Sequence, residues 1–271
     1  MQDKKILFSD LDGTLLKNDK SISKRNLEAV KSMLDAGHYF VITSGRPVAA
    51  AKHIAKEIGV MIPGCYMITY NGAVIYNCEN GTNLMEKTVS LEHVTYLFEE
   101  AKKYGLHVQT YSDDHVLTME ETEEMKFYSK STTMKYKVTD DVIKTLQREP
   151  NKVLLSSLTE HAKLLQFQKD HLDWQEGKCN SFFSCDEYLE YCPYQTSKGS
   201  AIEYLVNYLN IPMKHTFAVG DELNDIPMLS VVEHGIAMKN AKEKVKEAAD
   251  YVLEFDNEQD GVAELINKWI L

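Results

Sequence analysis

A chain of 271 residues, 44% hydrophobic and 26% charged, can bury a full core as one large domain or two modest ones, and this composition excludes a disordered or fibrous protein. Thirty basic against 41 acidic residues leave a net charge of −11, and no Lys/Arg-rich run interrupts that acidity, so neither nucleic acid nor a membrane surface is an expected partner. A phosphorylated ligand is still allowed, because an acidic protein can gather backbone N–H groups, a lysine or a divalent cation at one point.

In chain order, Ile6-Leu7-Phe8 reads as a short buried strand that ends in Ser9-Asp10-Leu11-Asp12-Gly13-Thr14. Ser21 to Ala36 carries apolar residues at Ile22, Leu27, Val30 and Leu34, offers Ser21 or Ser23 as N-cap and stops at Gly37, which predicts a helix. Tyr39-Phe40-Val41-Ile42 is a second strand, ending in Thr43-Ser44-Gly45-Arg46, and Pro47 opens a helix that runs to about Ile58. Tyr66-Met67-Ile68 is a third, ending in Thr69-Tyr70-Asn71-Gly72.

From Thr82 to Tyr191 the punctuation changes. Extended segments are expected at Leu84–Val89, His107–Tyr111, Val116–Thr118, Lys152–Leu158 and Ser181–Ser184, with helices at Leu91–Tyr104 and Thr159–His171. The earlier grammar then resumes: Phe217-Ala218-Val219 ends in Gly220-Asp221-Glu222-Leu223-Asn224-Asp225, Gly235–Met238 and Tyr251–Leu253 follow as strands, and a helix through Trp269 closes the chain. The expected fold is α/β: a doubly wound, parallel-sheet, Rossmann-like core over 1–81 and 192–271, with an α+β module inserted at 82–191. Ligands of such sheets bind at the carboxyl ends of the strands, where every unusual polar cluster above is placed.

Asp10 and Asp12 leave the first strand one residue apart and can face the same cleft through a tight turn. Paired carboxylates there suit Mg²⁺, which prefers oxygen ligands and leaves positions for phosphate. One carboxylate can attack phosphorus while the other handles the leaving-group proton, although a bare Asp-Gly turn would look the same. Ser44 can hold phosphate oxygens, Gly45 lets backbone approach closely, and Lys198 supplies a compact positive charge, unless it is merely a solvated helix-start lysine. Asp221 and Asp225 could complete a metal site, or the acidic run could simply favour a helix start.

These residues resemble the haloacid dehalogenase superfamily. Its D-x-D-G-T opening stands at Asp10–Thr14, its strand-end Ser/Thr at Ser44, its Lys before a helix at Lys198 and its G-D-x-x-N-D element at Gly220–Asp225. The resemblance implies a phosphatase in which Asp10 is the nucleophile and Asp12 the general acid and base. Mg²⁺ would then be held by Asp10, the Asp12 carbonyl and Asp221, with Asp225 a ligand or a support for Lys198. The insertion resembles the C2B-type α+β cap of the Cof-like subgroup, which selects substrate, and Arg46, Asn71 and Asn224 match subgroup positions near the substrate. A phosphomutase on the same scaffold, or a phosphometabolite-binding regulator without turnover, are the alternatives; the substrate itself is not legible.

The remaining features read as ordinary structure. His107 and His115 are expected to be surface or partly buried residues, Tyr188, Tyr191 and Tyr194 to pack along a strand, and Glu120–Glu124 to face solvent. Cys65, Cys78, Cys179, Cys185 and Cys192 are odd in number, contain no C-x-x-C pair and are expected to be buried reduced thiols. No uncharged apolar stretch approaches the ~18 residues that a span requires, and the opening MQDKKILFSD has charges where a signal peptide needs its apolar segment, so the cytoplasm is the expected location.

Overall fold

The computed structural model describes residues 4–271; the charged opening at 1–3 lies outside the described residues. The chain forms two compact units: one takes in the chain up to Gly45, Ala51–Met85 and Ser197–Leu271, and the other Arg46–Ala50 and Glu86–Thr196.

The first unit begins with strand β1 (Ile6–Ser9), buried throughout. Helix α1 (Lys24–Asp35) follows, with the Ser23 hydroxyl accepting the Asn26 N–H as N-cap. Its buried face is Ala29, Val30 and Met33 together with Asn26, whose side chain donates to the Leu15 carbonyl and accepts from the Ala263 N–H. The expected stripe through Leu27 and Leu34 is rotated, because a polar side chain with two backbone partners can occupy a core position as well as an apolar one. Strand β2 (Tyr39–Thr43), helix α2 (Val48–Glu57) and strand β3 (Tyr66–Thr69) come next.

The chain then turns back through Tyr70–Gly72 into β4 (Val74–Asn77), antiparallel to β3, and β5 (Thr82–Glu86) lies beside β4 at the sheet edge. Asn77 and Asn80 side chains accept the N–H groups of Glu79, Asn80 and Thr82, which makes a local asparagine turn between the two strands. The extended segment expected at Leu84–Val89 is therefore in part an edge strand of the first sheet. The long segment of the second unit runs from Glu86 to Thr196, four and five residues beyond the sequence-based boundaries of 82 and 191.

The second unit contains α3 (Leu91–Tyr104), β6 (His107–Tyr111), β7 (His115–Thr118), α4 (Glu123–Thr132), β8 (Lys135–Val138), α5 (Val142–Thr145), β9 (Val153–Ser156), α6 (His161–Asp170), α7 (Leu172–Gln175), β10 (Cys179–Cys185) and β11 (Tyr188–Pro193). Its sheet has the order β10-β11-β9-β6-β7-β8, antiparallel except for the β7–β8 pair. Val94, Leu97, Phe98 and Ala101 of α3 and Leu164 and Phe167 of α6 share one apolar cluster with Val153, Leu155, Leu189 and Tyr191 of the strands. Strand β8 escapes a reading of the sequence because Lys135 and Lys137 line an edge strand, whereas β11 holds Tyr188 and the buried Tyr191 in the strand expected for them.

Returning to the first unit, α8 (Lys198–Leu209) leads to β12 (Thr216–Gly220), α9 (Ile226–Val231), β13 (His234–Ala237), α10 (Glu243–Ala248), β14 (Tyr251–Val252) and α11 (Gly261–Leu265), which continues as a single π-turn over Ile266–Ile270. The eight-stranded order is β14-β13-β12-β1-β2-β3-β4-β5, parallel from β14 to β3. The sheet is thus mixed rather than purely parallel. Its parallel strands read as near-continuous apolar runs because both faces are covered, and the carboxyl ends of β1, β2 and β12 adjoin.

All five cysteines are free, four of them buried and Cys185 partly so, and burial pushes the thiols of Cys65, Cys78 and Cys179 up to about 12. His107 accepts or donates to Gln109 and Thr122 inside its unit, and burial lowers its pKa; Tyr191 is buried, whereas Tyr194 is exposed beyond the strand. Among the described residues no helix is long and apolar enough to cross a membrane.

Candidate active site

Asp10 continues the β1 ladder by one residue, its N–H donating to the Val219 carbonyl at 3.0 Å, so its side chain emerges where β1 and β12 end. The chain then folds sharply: the Leu11 carbonyl accepts the N–H groups of Thr14 (3.3 Å) and Leu16 (2.9 Å). Gly13 sits inside this turn with φ +76°, and a Cβ there would stand 2.3 Å from Asp221 Oδ2, so both conformation and contact require glycine. The Thr14 hydroxyl donates to Asp221 Oδ1 at 2.5 Å, tying the turn after β1 to the turn after β12.

Asp225 organises the other side. Its Oδ2 accepts the N–H groups of Asp221 (2.9 Å) and Glu222 (3.0 Å), and its Oδ1 accepts from Lys198 Nζ at 2.5 Å. Lys198 is the first residue of α8, whose N-cap Ser197 forms a capping box with Ser200. Its ammonium also donates to Asp10 Oδ1 at 2.6 Å, so one lysine, only 1% exposed, bridges two carboxylates. A buried lysine is rare unless paired, and the solvated helix-start reading is thereby set aside.

Ser44 is buried at the end of β2, its N–H donating to the Ile68 carbonyl and its own carbonyl accepting the Asn71 N–H. Asn71 adopts φ +54°, accepts from Asn224 Nδ2 at 2.9 Å and lies against Gly45, where a Cβ would meet its side-chain amide at 3.0 Å. Gly72, at φ +102°, lets the turn touch the start of α8: a Cβ would stand 2.1 Å from the Ser197 carbonyl oxygen. Asp10, Asp12, Ser44, Gly45, Asn71, Lys198, Asp221, Asn224 and Asp225 therefore all belong to the first unit, while Arg46, also buried, belongs to the second.

Carboxylate oxygens of Asp10, Asp221 and Asp225 lie within 4.8 Å of one another. The pKa of Asp10 is raised to about 7, chiefly by burial and also by Asp225 and Asp12, with Lys198 opposing the rise. Asp221 is raised well above the usual carboxylate range by burial and then by Asp10 and Asp225. Burial alone would lower the pKa of Lys198, but the two carboxylates outweigh it and the ammonium is held protonated. Three buried carboxylates face one buried ammonium. Hard oxygen donors with surplus negative charge are what a divalent cation such as Mg²⁺ satisfies, so the residues present fit that ion.

The carboxylate of Asp12 is not part of this cluster: it is half exposed, and its Oδ1 accepts from Lys20 Nζ at 2.7 Å. Thr14 and Lys20 carry contacts that a reading of the sequence leaves out. Thr14 was visible as the last letter of D-x-D-G-T, whereas nothing in the sequence marks Lys20.

The family model for haloacid dehalogenase-like hydrolases matches residues 7–266. A haloacid dehalogenase-like hydrolase from Bacteroides thetaiotaomicron is 30% identical and superposes with a TM-score of 0.90 over 98% of this chain and 99% of that one. The 5-amino-6-(5-phospho-D-ribitylamino)uracil phosphatase of Bacillus subtilis is 28% identical over 99% of this chain and 97% of its own, and the HMP-PP phosphatase of Yersinia pseudotuberculosis is 26% identical over 96% and 93%. With the match spanning nearly the whole sequence and phosphatases among its relatives, the chain belongs to the haloacid dehalogenase-like hydrolase family, as a phosphatase of the Cof-like branch.

Proposed function

We propose that the protein is a Mg²⁺-dependent phosphatase that hydrolyses a small phosphorylated metabolite in the cytoplasm through an aspartyl-phosphate on Asp10. The observation that carries this reading is the single buried ammonium of Lys198 shared by Asp10 and Asp225, with Asp221 alongside. Mg²⁺, held by Asp10, the Asp12 carbonyl and Asp221, would supply charge neutralisation between the attacking carboxylate and the phosphoryl oxygens.

Within the chain, Lys198 favours the ionised form of Asp10 against the effect of burial and partners the phosphoryl group. Asp225, with both oxygens engaged by Lys198 and two backbone N–H groups, positions that lysine and the turn that carries Asp221. Ser44 and the Gly45 backbone bind phosphate oxygens, and the Asn71–Asn224 pair contacts the rest of the substrate. Asp12 is the general acid: it gives a proton to the departing oxygen and takes one from the water that attacks the phosphoenzyme, so Asp10 is regenerated. The unit running from Glu86 to Thr196 is the cap that selects the substrate.

The named relatives act on a phosphorylated ribitylaminouracil and on HMP-PP, which supports a small metabolite as the class. Phosphate release from a panel of such metabolites, with Mg²⁺ and after its removal by EDTA, tests the reading; release unaffected by EDTA overturns the metal requirement. Phosphorus NMR of the products distinguishes water from a second substrate hydroxyl as the acceptor.

A further inference from the structure

The loop after Thr14 ends in a contact that the assigned machinery does not use. Lys17 N–H donates to the Ser21 carbonyl and Lys20 N–H to the Lys17 carbonyl, both at 2.9 Å, closing a tight loop over 17–21. Ser21 bonds Asp19 Oδ1 through both its N–H and its hydroxyl. At its base the loop is tied to the C-terminal part of the chain: buried Asn257 donates to the Leu16 carbonyl at 3.0 Å and to Asn18 Oδ1 at 3.1 Å, and the Asn18 N–H donates to Glu258 at 2.7 Å. Asp12 and Leu16 form a β-bridge across the neck of the same loop.

Lys20 sits at the turn with φ +69°, in the left-handed region that L side chains rarely adopt. The loop's hydrogen bonds hold it there, and the result is that its ammonium reaches back eight residues to Asp12 Oδ1 at 2.7 Å. A strained residue held by a fixed loop and aimed at a reacting group suggests a use for the strain. As an ion pair the contact is half exposed on both sides and contributes little to stability. Its effect falls on orientation, by fixing which oxygen of Asp12 faces the leaving group.

We infer that Lys20 is a positioning residue for Asp12, holding one carboxylate oxygen so that the other meets the leaving-group oxygen of the substrate. The inference rests on the acid role of Asp12 proposed above. Since good leaving groups need no proton, Lys20 matters for alkyl phosphates and hardly for aryl phosphates.

The test compares p-nitrophenyl phosphate with glycerol 2-phosphate in the full-length protein for Lys20→Gln, Lys20→Arg and Asp12→Asn. Lys20→Gln should lower kcat on glycerol 2-phosphate ~10-fold and change p-nitrophenyl phosphate turnover less than ~2-fold, and Lys20→Arg should recover most of the loss. The Mg²⁺ concentration for half-maximal rate should not move. In an Asp12→Asn background, Lys20→Gln should add nothing further. Equal losses on both substrates, no loss, or a shifted Mg²⁺ midpoint overturns the positioning role. If Asp12→Asn itself fails to discriminate the substrates, the acid role falls and Lys20 falls with it; if Asp12→Asn discriminates and Lys20→Gln does not, Lys20 alone is wrong.

Discussion

Each compact unit buries a lysine against carboxylates, and the ratio of the charges differs. In the second unit Lys152 pairs with Glu190 at 2.7 Å, both nearly inaccessible, with Ser184 donating to the other oxygen of Glu190 and the Tyr111 ring 5.3 Å from the ammonium. The Glu190 carboxylate is engaged at both oxygens. In the first unit Lys198 meets Asp10 and Asp225 while Asp221 stands beside them. The Lys152–Glu190 pair serves structure, whereas three carboxylates around one ammonium leave the surplus negative charge that the proposed Mg²⁺ would offset.

If that distinction is correct, removing one carboxylate should have opposite consequences in the two places. Asp10→Asn should cut turnover about 10³–10⁴-fold by removing the proposed nucleophile, yet leave the denaturation midpoint of the metal-free protein unchanged or higher, because one of three mutually repelling charges is gone. Phosphate release and a urea melt on the same preparation check both halves. Glu190→Ala, by contrast, leaves the Lys152 ammonium buried without its carboxylate, and should cost the second unit about 3–5 kcal/mol in the same urea melt. A stable Glu190→Ala variant would mean that Lys152 has another way of meeting solvent or charge, and the comparison would fail.

Asp221→Ala sharpens the role of the surplus charge. The Mg²⁺ concentration for half-maximal rate should rise about 10–100-fold, with much of the rate recovered at high Mg²⁺. An unchanged midpoint would remove Asp221 from the ligand set and leave its bond from Thr14 as a purely structural link between the turns.

The parallel core was legible because its strands are short apolar runs that each end in an unusual polar cluster, and Asp10, Ser44, Lys198 and Asp221 could be placed at strand ends or a helix start before any coordinates. What was not legible has physical causes. The Asn26 position in the core depends on partners 11 and 237 residues away. Strand β5 joins the first sheet through an asparagine turn that a strand-and-breaker reading cannot assign to one unit over the other. Strand β8 is an edge with lysines at alternate positions, which looks like solvated loop. Lys20 owes its contact to a positive φ that the sequence does not announce, since no glycine stands there.

The last expected effect concerns protons as rivals of the metal. Burial and neighbouring carboxylates raise Asp10 to about 7, and Asp221 is raised for the same reasons, whereas in the unfolded chain both titrate near the ordinary aspartate value of ~3.9. Between roughly pH 4 and pH 7 the folded, metal-free protein therefore holds more protons than the unfolded one, so its stability falls as pH rises through that window. This is the reverse of an aspartate stabilised by a salt bridge, and it arises because the cluster has more negative charge than Lys198 can balance. Mg²⁺ should cancel the trend, since it replaces the protons that folding retains. Two measurements follow: the thermal midpoint in EDTA should decline from pH 4 to pH 7 and decline less with saturating Mg²⁺, and the Mg²⁺ concentration for half-saturation should rise about tenfold for each proton displaced per pH unit below 7. Asp10→Asn should flatten the pH slope in EDTA. A slope that Asp10→Asn does not change would place the linked protons elsewhere in the molecule.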